Sequence, residues 1–331
     1  MSASLAPSPQ HIGSRFNLVS AIPTTTLVVL VGALLVAGAP SQPPDLTRLR
    51  ERLADLNAAD VALLIVVSVT LALLLNPFQV SFVKALEGYW PASRITAPVE
   101  RLFRARHTAR WDRLNALRIT KEGIDAKLVM LPSRDRLMPT RLGNALRHAE
   151  DLAGKRYGLG AVQVIPRMWP VMSERMVAVI DDARNELDVM ASFVFVWLVA
   201  TGATFGLLYQ YGPWLMVPVV TFGLAWLSYA GCVTSARSYG QTLIWAVDLY
   251  RFELYAQLHI ELPDTHEAER ERNEKLTSFL AGRWLAYREP KPKWAPRYVH
   301  SEQRTPEIAR DEPQTEPESP GSEPESPGSG S

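Results

Sequence analysis

The chain predicts a mainly α-helical membrane protein with four transmembrane helices, long cytoplasmic helical stalks and a small cytoplasmic module of α+β character. Three observations carry that expectation. Between Asp188 and Arg237 lie 48 residues without a charged side chain, interrupted only by Gln210-Tyr211-Gly212-Pro213. About 20 apolar residues cross a bilayer as helix, so this run fits two crossings joined by a tight turn. Val61 to Val83 is a second charge-free run, and the apolar stretch Leu27 to Ala39, between Arg15 and Asp45, is a weaker third. Finally, Lys and Arg are concentrated in two segments, 19 in Lys84–Asp188 and 12 after Ala236. Four spans place both segments and both termini on the cytoplasmic side, as the positive-inside rule requires.

Six regions follow from these boundaries. Residues 1–15 form a polar cytoplasmic arm. Residues 16–83 hold the first two spans and a short outer loop. Asn76-Pro77 ends or kinks the second span, since proline removes a helical hydrogen bond. In the first, Ala37-Gly38-Ala39 has the small residues of a signal-peptide cleavage site, but Pro40 directly after it opposes cleavage, and the span is expected to be retained.

Residues 84–188 form an arginine-rich module and stalk. Tyr89-Trp90 is an aromatic anchor of the interfacial kind. Pro98 opens a basic helix over Val99–Leu117, with Val99, Phe103, Leu114 and Leu117 on one side. Arg101, Arg104, Arg106, Arg110 and Arg113 crowd the rest and suit anionic lipid, where each arginine contributes about 1 kcal/mol. A solvated helix that only enforces topology has the same composition. Ala126–Leu131 and Ala161–Ile165 are apolar runs of strand length. Between them Thr140 caps a helix that continues to about Ala153. Pro166 and Pro170 bracket an extended Arg167-Met168-Trp169. Arg141, Arg156 and Arg167, with Trp169, are the candidates for an anion or partner site. The Lys155–Gly160 stretch resembles a phosphate cradle but lacks the Gly-Lys-Ser/Thr ending of a phosphate loop, so helix termination by Gly158 is the default.

Residues 189–236 are the transmembrane hairpin, and 237–289 a second stalk and a charged helix. Ser173 caps a helix that runs to Tyr211, about 57 Å at 1.5 Å per residue. Pro213 starts another that reads to about Glu261. Met176, Ile180, Ala183, Leu187 and Met190 on the first, and Leu243, Val247, Tyr250, Leu254 and Leu258 on the second, recur at three and four. The stalks leave one tight turn and are therefore antiparallel neighbours that zip together as a coiled-coil-like pair. Gly202-x-x-x-Gly206 permits close helix packing, internal to the hairpin or in self-association. Asp264 is read as the cap of a helix from Thr265 to Leu285. Residues 290–331 are Pro-, Glu- and Ser-rich, with EPESPGS repeated at Glu316–Ser322 and Glu323–Ser329. Such a composition buries too little apolar surface to fold.

Reactive chemistry is sparse. Cys232 is the sole cysteine, which excludes a disulfide framework and a thiolate metal site. The spans contain no charge, which argues against proton-coupled transport and intramembrane proteolysis. His259, Glu261, Asp264, His266 and Glu267 straddle a helix break at Leu262-Pro263 and match no metal pattern. Asp181, Asp182, Glu186 and Asp188 read as the solvated face of a stalk. Neither a cofactor nor a metal is expected, and a net charge of +1 argues against nucleic acid.

The runs PTRLGNALRHAE (Pro139–Glu150), RYGLGA (Arg156–Ala161), PRMWP (Pro166–Pro170) and DLYRFELYAQLHIELPDTHEAERER (Asp248–Arg272) together resemble an uncharacterised group of bacterial, largely actinobacterial, multi-pass membrane proteins. The likeness covers about residues 60–285 and implies architecture without an activity. Members of that group carry Asp where this chain has Gly160, so any site built on that acid is absent here. The expected function is therefore a membrane-anchored interaction or scaffold protein in the cell membrane, its basic module facing a protein partner or anionic lipid. Two alternatives stand beside it. An oligomeric channel would use the hydroxyls of Ser68, Thr70, Thr201 and Thr204. A membrane-bound enzyme would act on a phosphate-containing substrate held by the arginines.

Overall fold

The computed structural model describes residues 21–91, 93–94, 96–117, 131–282, 296 and 298. Nine α-helices occur among them: α1 (Ile22–Val36), α2 (Leu46–Ala54), α3 (Ala58–Glu87), α4 (Thr96–Leu117), α5 (Arg141–Leu152), α6 (Ala161–Met168), α7 (Glu174–Leu208), α8 (Met216–Gln257) and α9 (His266–Ala281). Short 3-10 turns link several of them. The described residues contain no strand, only an isolated bridge between Ile260 and Tyr298. The N-terminal arm, most of the proline-rich tail and the first expected strand, apart from Leu131, lie outside the described residues.

Helices α3, α7 and α8 are long and apolar enough to cross a membrane. Their outer faces are bare: Leu63 is 63% exposed, Trp226 65% and Leu227 62%. Apolar surface on this scale is not left against water, and it suits lipid. At 15 residues, α1 spans about 22 Å, short of a 30 Å hydrocarbon layer. It packs against α3 and α7, with Leu27 closing on Val196 and Ala200.

Helix ends follow local chemistry. Asp45, Thr140, Ser173 and Thr265 each accept a backbone N–H from the first turn of the helix they cap. Asn57 and Asp60 cap each other's backbone at the start of α3. Gly88 and Gly282 close α3 and α9 in left-handed conformation. Helix α3 runs through Pro77 without ending.

The stalks of α7 and α8 are antiparallel below the hairpin and form the main core. Ile180, Leu243, Val247 and Leu254 are buried there, with Met176, Ala183, Tyr250 and Leu258 against them. Leu187 and Met190 continue the seam toward Cys232 and Ala236. The apolar side of α5 lies across α8, and Gly240 is what allows it, since a Cβ there would collide with that of Ala149.

Four expectations are corrected. Ala161–Ile165 is not a strand but the first five residues of α6. The amides of Gln163 and Val164 bond back to the Gly160 carbonyl at 3.1 Å, and Ala161, Val164, Ile165 and Met168 are buried on one face at helical period. Arg167-Met168-Trp169 is not extended. Pro166 sits inside α6 and Trp169–Val171 is a 3-10 turn. Helix α8 ends at Gln257, where His259 takes a positive φ of 53°, rather than at Glu261. The charged helix starts one residue later than expected, with Thr265 as its cap, and stops at Ala281 before Gly282.

Candidate functional site

Where α3 leaves the apolar layer, its last turn meets the start of α5. Trp90 Nε1 donates to the Ala85 carbonyl at 2.7 Å, folding the indole back on the helix. A Cβ on Gly88 would stand 2.7 Å from Pro139, so the two segments touch at a glycine. Ser93 and Thr96 exchange hydrogen bonds at 3.1 Å and turn the chain into α4. An open cleft of about 400 Å³ results, walled by Tyr89, Trp90, Glu100, Arg104, Arg136 and Arg147 among others.

The guanidinium of Arg147 organises this cleft. It donates to Tyr89 Oη at 2.7 Å and to Glu150 at 2.9 Å, with its carbon 5.6 Å from the Tyr89 ring centroid. Arg136 reaches Glu150 at 3.4 Å and also pairs with Asp151. Arg104 pairs with Glu100 one turn back at 2.6 Å. Glu87, the last residue of α3, is pushed above the ordinary carboxylate range by burial, which outweighs the attraction of Arg184. On α4, burial lowers the His107 imidazole, and Arg110 and Arg141 repel its proton further. His148 is also lowered, mainly by burial.

Helix α4 carries the five arginines expected on it and buries none of its residues. Val99, Leu102 and Phe103 are exposed at 40%, 54% and 38%. Arg101 bonds its own backbone at Ala97, and Arg106 lies 5.5 Å over Phe103, while Arg110 and Arg113 are exposed. Asp112 is tied to Arg134 through two hydrogen bonds of 2.8 and 3.1 Å, which hold its carboxyl below the usual range.

The other arginine set does not assemble. Arg141 begins α5 and Arg156 follows its far end, so about 18 Å of helix separates them. Arg167 donates to the Gln163 carbonyl at 2.5 Å and to the Leu280 carbonyl at 3.3 Å, closing the C-terminal end of α9. Trp169 packs against the main core. The Lys155–Gly160 glycines serve packing too. Gly158 has φ +75°, and a Cβ there would meet the Arg270 carbonyl at 2.6 Å, while Gly160 N–H donates to Thr277 at 3.0 Å.

Gly202 and Gly206 have nothing within 4 Å of where a Cβ would stand, so this pair does not pack the hairpin. The hydroxyls of Thr201 and Thr204 donate at 2.7 Å to the carbonyls of Trp197 and Ala200 inside their own helix. Thr70 is exposed on α3, and Ser68 is buried. The acidic run on α7 divides: Asp182 and Glu186 are exposed, but Asp188 is 8% exposed and pairs with Arg184 at 3.3 Å. It is thus not part of a solvated face. Among the described residues no three metal-ligating side chains gather, and His266 instead faces Glu269 at 3.7 Å.

Two features escape a reading along the chain. Arg136 and Arg147 converge on Glu150, and Arg147 meets Tyr89, only in three dimensions, although Arg147 and Glu150 stand at helical spacing. Helix α2 lies in the expected outer loop, where Leu46, Leu49 and Leu53 recur at three and four. No family model, curated protein or solved structure matches the chain, so the reading of function stands on geometry and composition.

Proposed function

We propose that the protein is a membrane-anchored interaction protein that presents a basic cytoplasmic module to an acidic surface. The observation behind this reading is α4: none of its 22 residues is buried, though it combines five arginines with exposed Val99, Leu102 and Phe103. A helix of that composition, attached to the end of a membrane-crossing helix, suits anionic headgroups of the adjoining leaflet. Five arginines at about 1 kcal/mol each make roughly 5 kcal/mol at low salt, attenuated beyond a Debye length of about 8 Å at physiological ionic strength. An acidic protein partner would use the same charges.

Helix α1, at about 22 Å, would be the fourth crossing where the bilayer thins to meet it, which keeps the arginine-rich segments and both termini on the cytoplasmic side of the cell membrane. Protease added to intact cells then leaves the 84–188 segment uncut, and digestion from outside would overturn the topology. For the surface itself, an environment-sensitive fluorophore on Leu102→Cys, in a Cys232→Ser background, is read in nanodiscs with and without anionic lipid. A blue shift confined to anionic discs, reversed by salt and abolished when Arg101, Arg104, Arg106, Arg110 and Arg113 are changed to Gln, supports lipid as the surface. Equal emission in neutral and anionic discs excludes it, and if detergent pull-downs also recover no protein above background, the interaction reading fails.

A further inference from the structure

The segment between α1 and α3 holds a helix with no role so far. Asp45 Oδ1 accepts from the Thr47 amide at 2.8 Å and its hydroxyl at 2.6 Å, which starts α2. All nine of its residues lack burial. Leu46 and Leu53 are 64% and 56% exposed, and Leu56, directly after the helix, is 49% exposed. With Leu49 these form one edge, flanked by Arg50 and Arg52, while Arg48 and Glu51 occupy the other side.

Both ends of α2 are fastened to elements at one membrane face. Only Asp55, Leu56 and Asn57 separate it from α3, whose charge-free run begins one turn later, at Val61. Such a link reaches about 14 Å at full extension. On the other side, the Asp45 amide bonds the Ala37 carbonyl at 2.9 Å, and Arg48 donates to Gln42 at 2.7 Å. Tyr211, in the turn between α7 and α8, donates to the Pro40 carbonyl at 2.5 Å. The helix is therefore held level with the entry of α3 and with the hairpin turn. Within three turns of that link the entry of α3 is itself bare, with Leu63, Ile65 and Val66 exposed.

We propose that α2 is an interfacial helix whose leucine edge lies in the acyl boundary of the leaflet at which α3 begins. Its occupant is the lipid surface. Arg48, Arg50 and Arg52 balance Asp45, Glu51 and Asp55, so attachment depends on the apolar edge and not on headgroup charge. In this it differs from α4. The helix acts as a collar that sets the depth of α3 and of the hairpin turn.

The test places a fluorophore on single cysteines at Leu49, Leu53, Arg48 and Glu51 of the full chain, with Cys232→Ser, in nanodiscs of neutral lipid. Leu63→Cys on α3 is the control. Brominated acyl chains should quench the labels on Leu49→Cys and Leu53→Cys at least threefold more than those on Arg48→Cys and Glu51→Cys. Aqueous iodide should show the reverse order, and added anionic lipid should change neither. Equal iodide quenching at all four positions means the helix stands in water and overturns the proposal. Leucine positions shielded from both quenchers mean a protein contact and overturn it too. If Leu63→Cys escapes brominated lipid, the crossing by α3 falls first, and α2 with it.

Discussion

Asn273 is one of the buried side chains that attach α9 to the rest of the fold, beside Leu276 and the Arg251–Glu269 pair, and its removal has a magnitude that can be worked out. Asn273 is fully buried, as is Tyr255. Tyr255 Oη donates to Asn273 Oδ1 at 2.5 Å, and Asn273 Nδ2 donates to the Tyr157 carbonyl at 2.8 Å. Asn273→Leu keeps the volume but orphans a buried hydroxyl and a buried carbonyl, each worth about 1–3 kcal/mol. The expected loss is roughly 4 kcal/mol, close to a thousandfold in the local opening equilibrium of α9. Tyr255→Phe orphans only the Asn273 oxygen and should cost about 1–2 kcal/mol. The double variant should leave only the Tyr157 carbonyl unpaired and cost about 2 kcal/mol, roughly 3–4 kcal/mol less than the sum of the two, because the hydroxyl and the amide oxygen orphaned by the single changes are both gone. Hydrogen exchange of the 266–281 peptide, measured in detergent, reads the opening directly. Thermal unfolding followed by circular dichroism reads the global effect. Unchanged exchange in Asn273→Leu, or strict additivity in the double variant, would refute the reasoning.

Two further predictions concern glycine and pH. Gly240→Ala should lower the melting temperature through about 1–3 kcal/mol of overpacking against Ala149, whereas Gly202→Ala, with open space around it, should leave it unchanged or slightly raised; equal melting curves would remove the close approach of α5 to α8. Burial raises Glu87, so the protonated carboxyl is the form the fold favours. Its contribution is complete below the ordinary glutamate value of 4.5 and is lost as pH rises through the higher folded value. Glu87→Gln should flatten that part of the stability–pH curve, and two parallel curves would show that Glu87 does not titrate there.

Most of the scaffold could be read along the chain because its signals are local. A charge-free run states its own length, and Thr140 and Ser173 cap α5 and α7 through bonds to amides three residues away. The stalk seam was equally legible, since residues at intervals of three and four must share a face. Ala161–Ile165 misled because a five-residue apolar run has no period long enough to separate strand from helix. The carbonyl of Gly160 settled it. The burial of the Asp188 carboxyl is not legible for a related reason: Arg184 one turn away is visible in sequence, but the Tyr239 ring that packs under its guanidinium comes from another helix.

The candidate site was less legible, because it is assembled from four separate elements. Arg141, Arg156 and Arg167 looked like a cluster when written in one line, and a rigid α5 holds the first two apart. Nothing local marks Arg147, because its partner Tyr89 is 58 positions away in sequence and 2.7 Å away in space. Sequence alone determined which segments avoid charge, which residues cap α5 and α7 and which stalk faces are apolar, since these depend on neighbours within a turn. Which glycines touch a partner, which arginines converge and which acid is buried were decided by tertiary packing. Those outcomes depend on how distant helices cross, and no local pattern encodes a crossing.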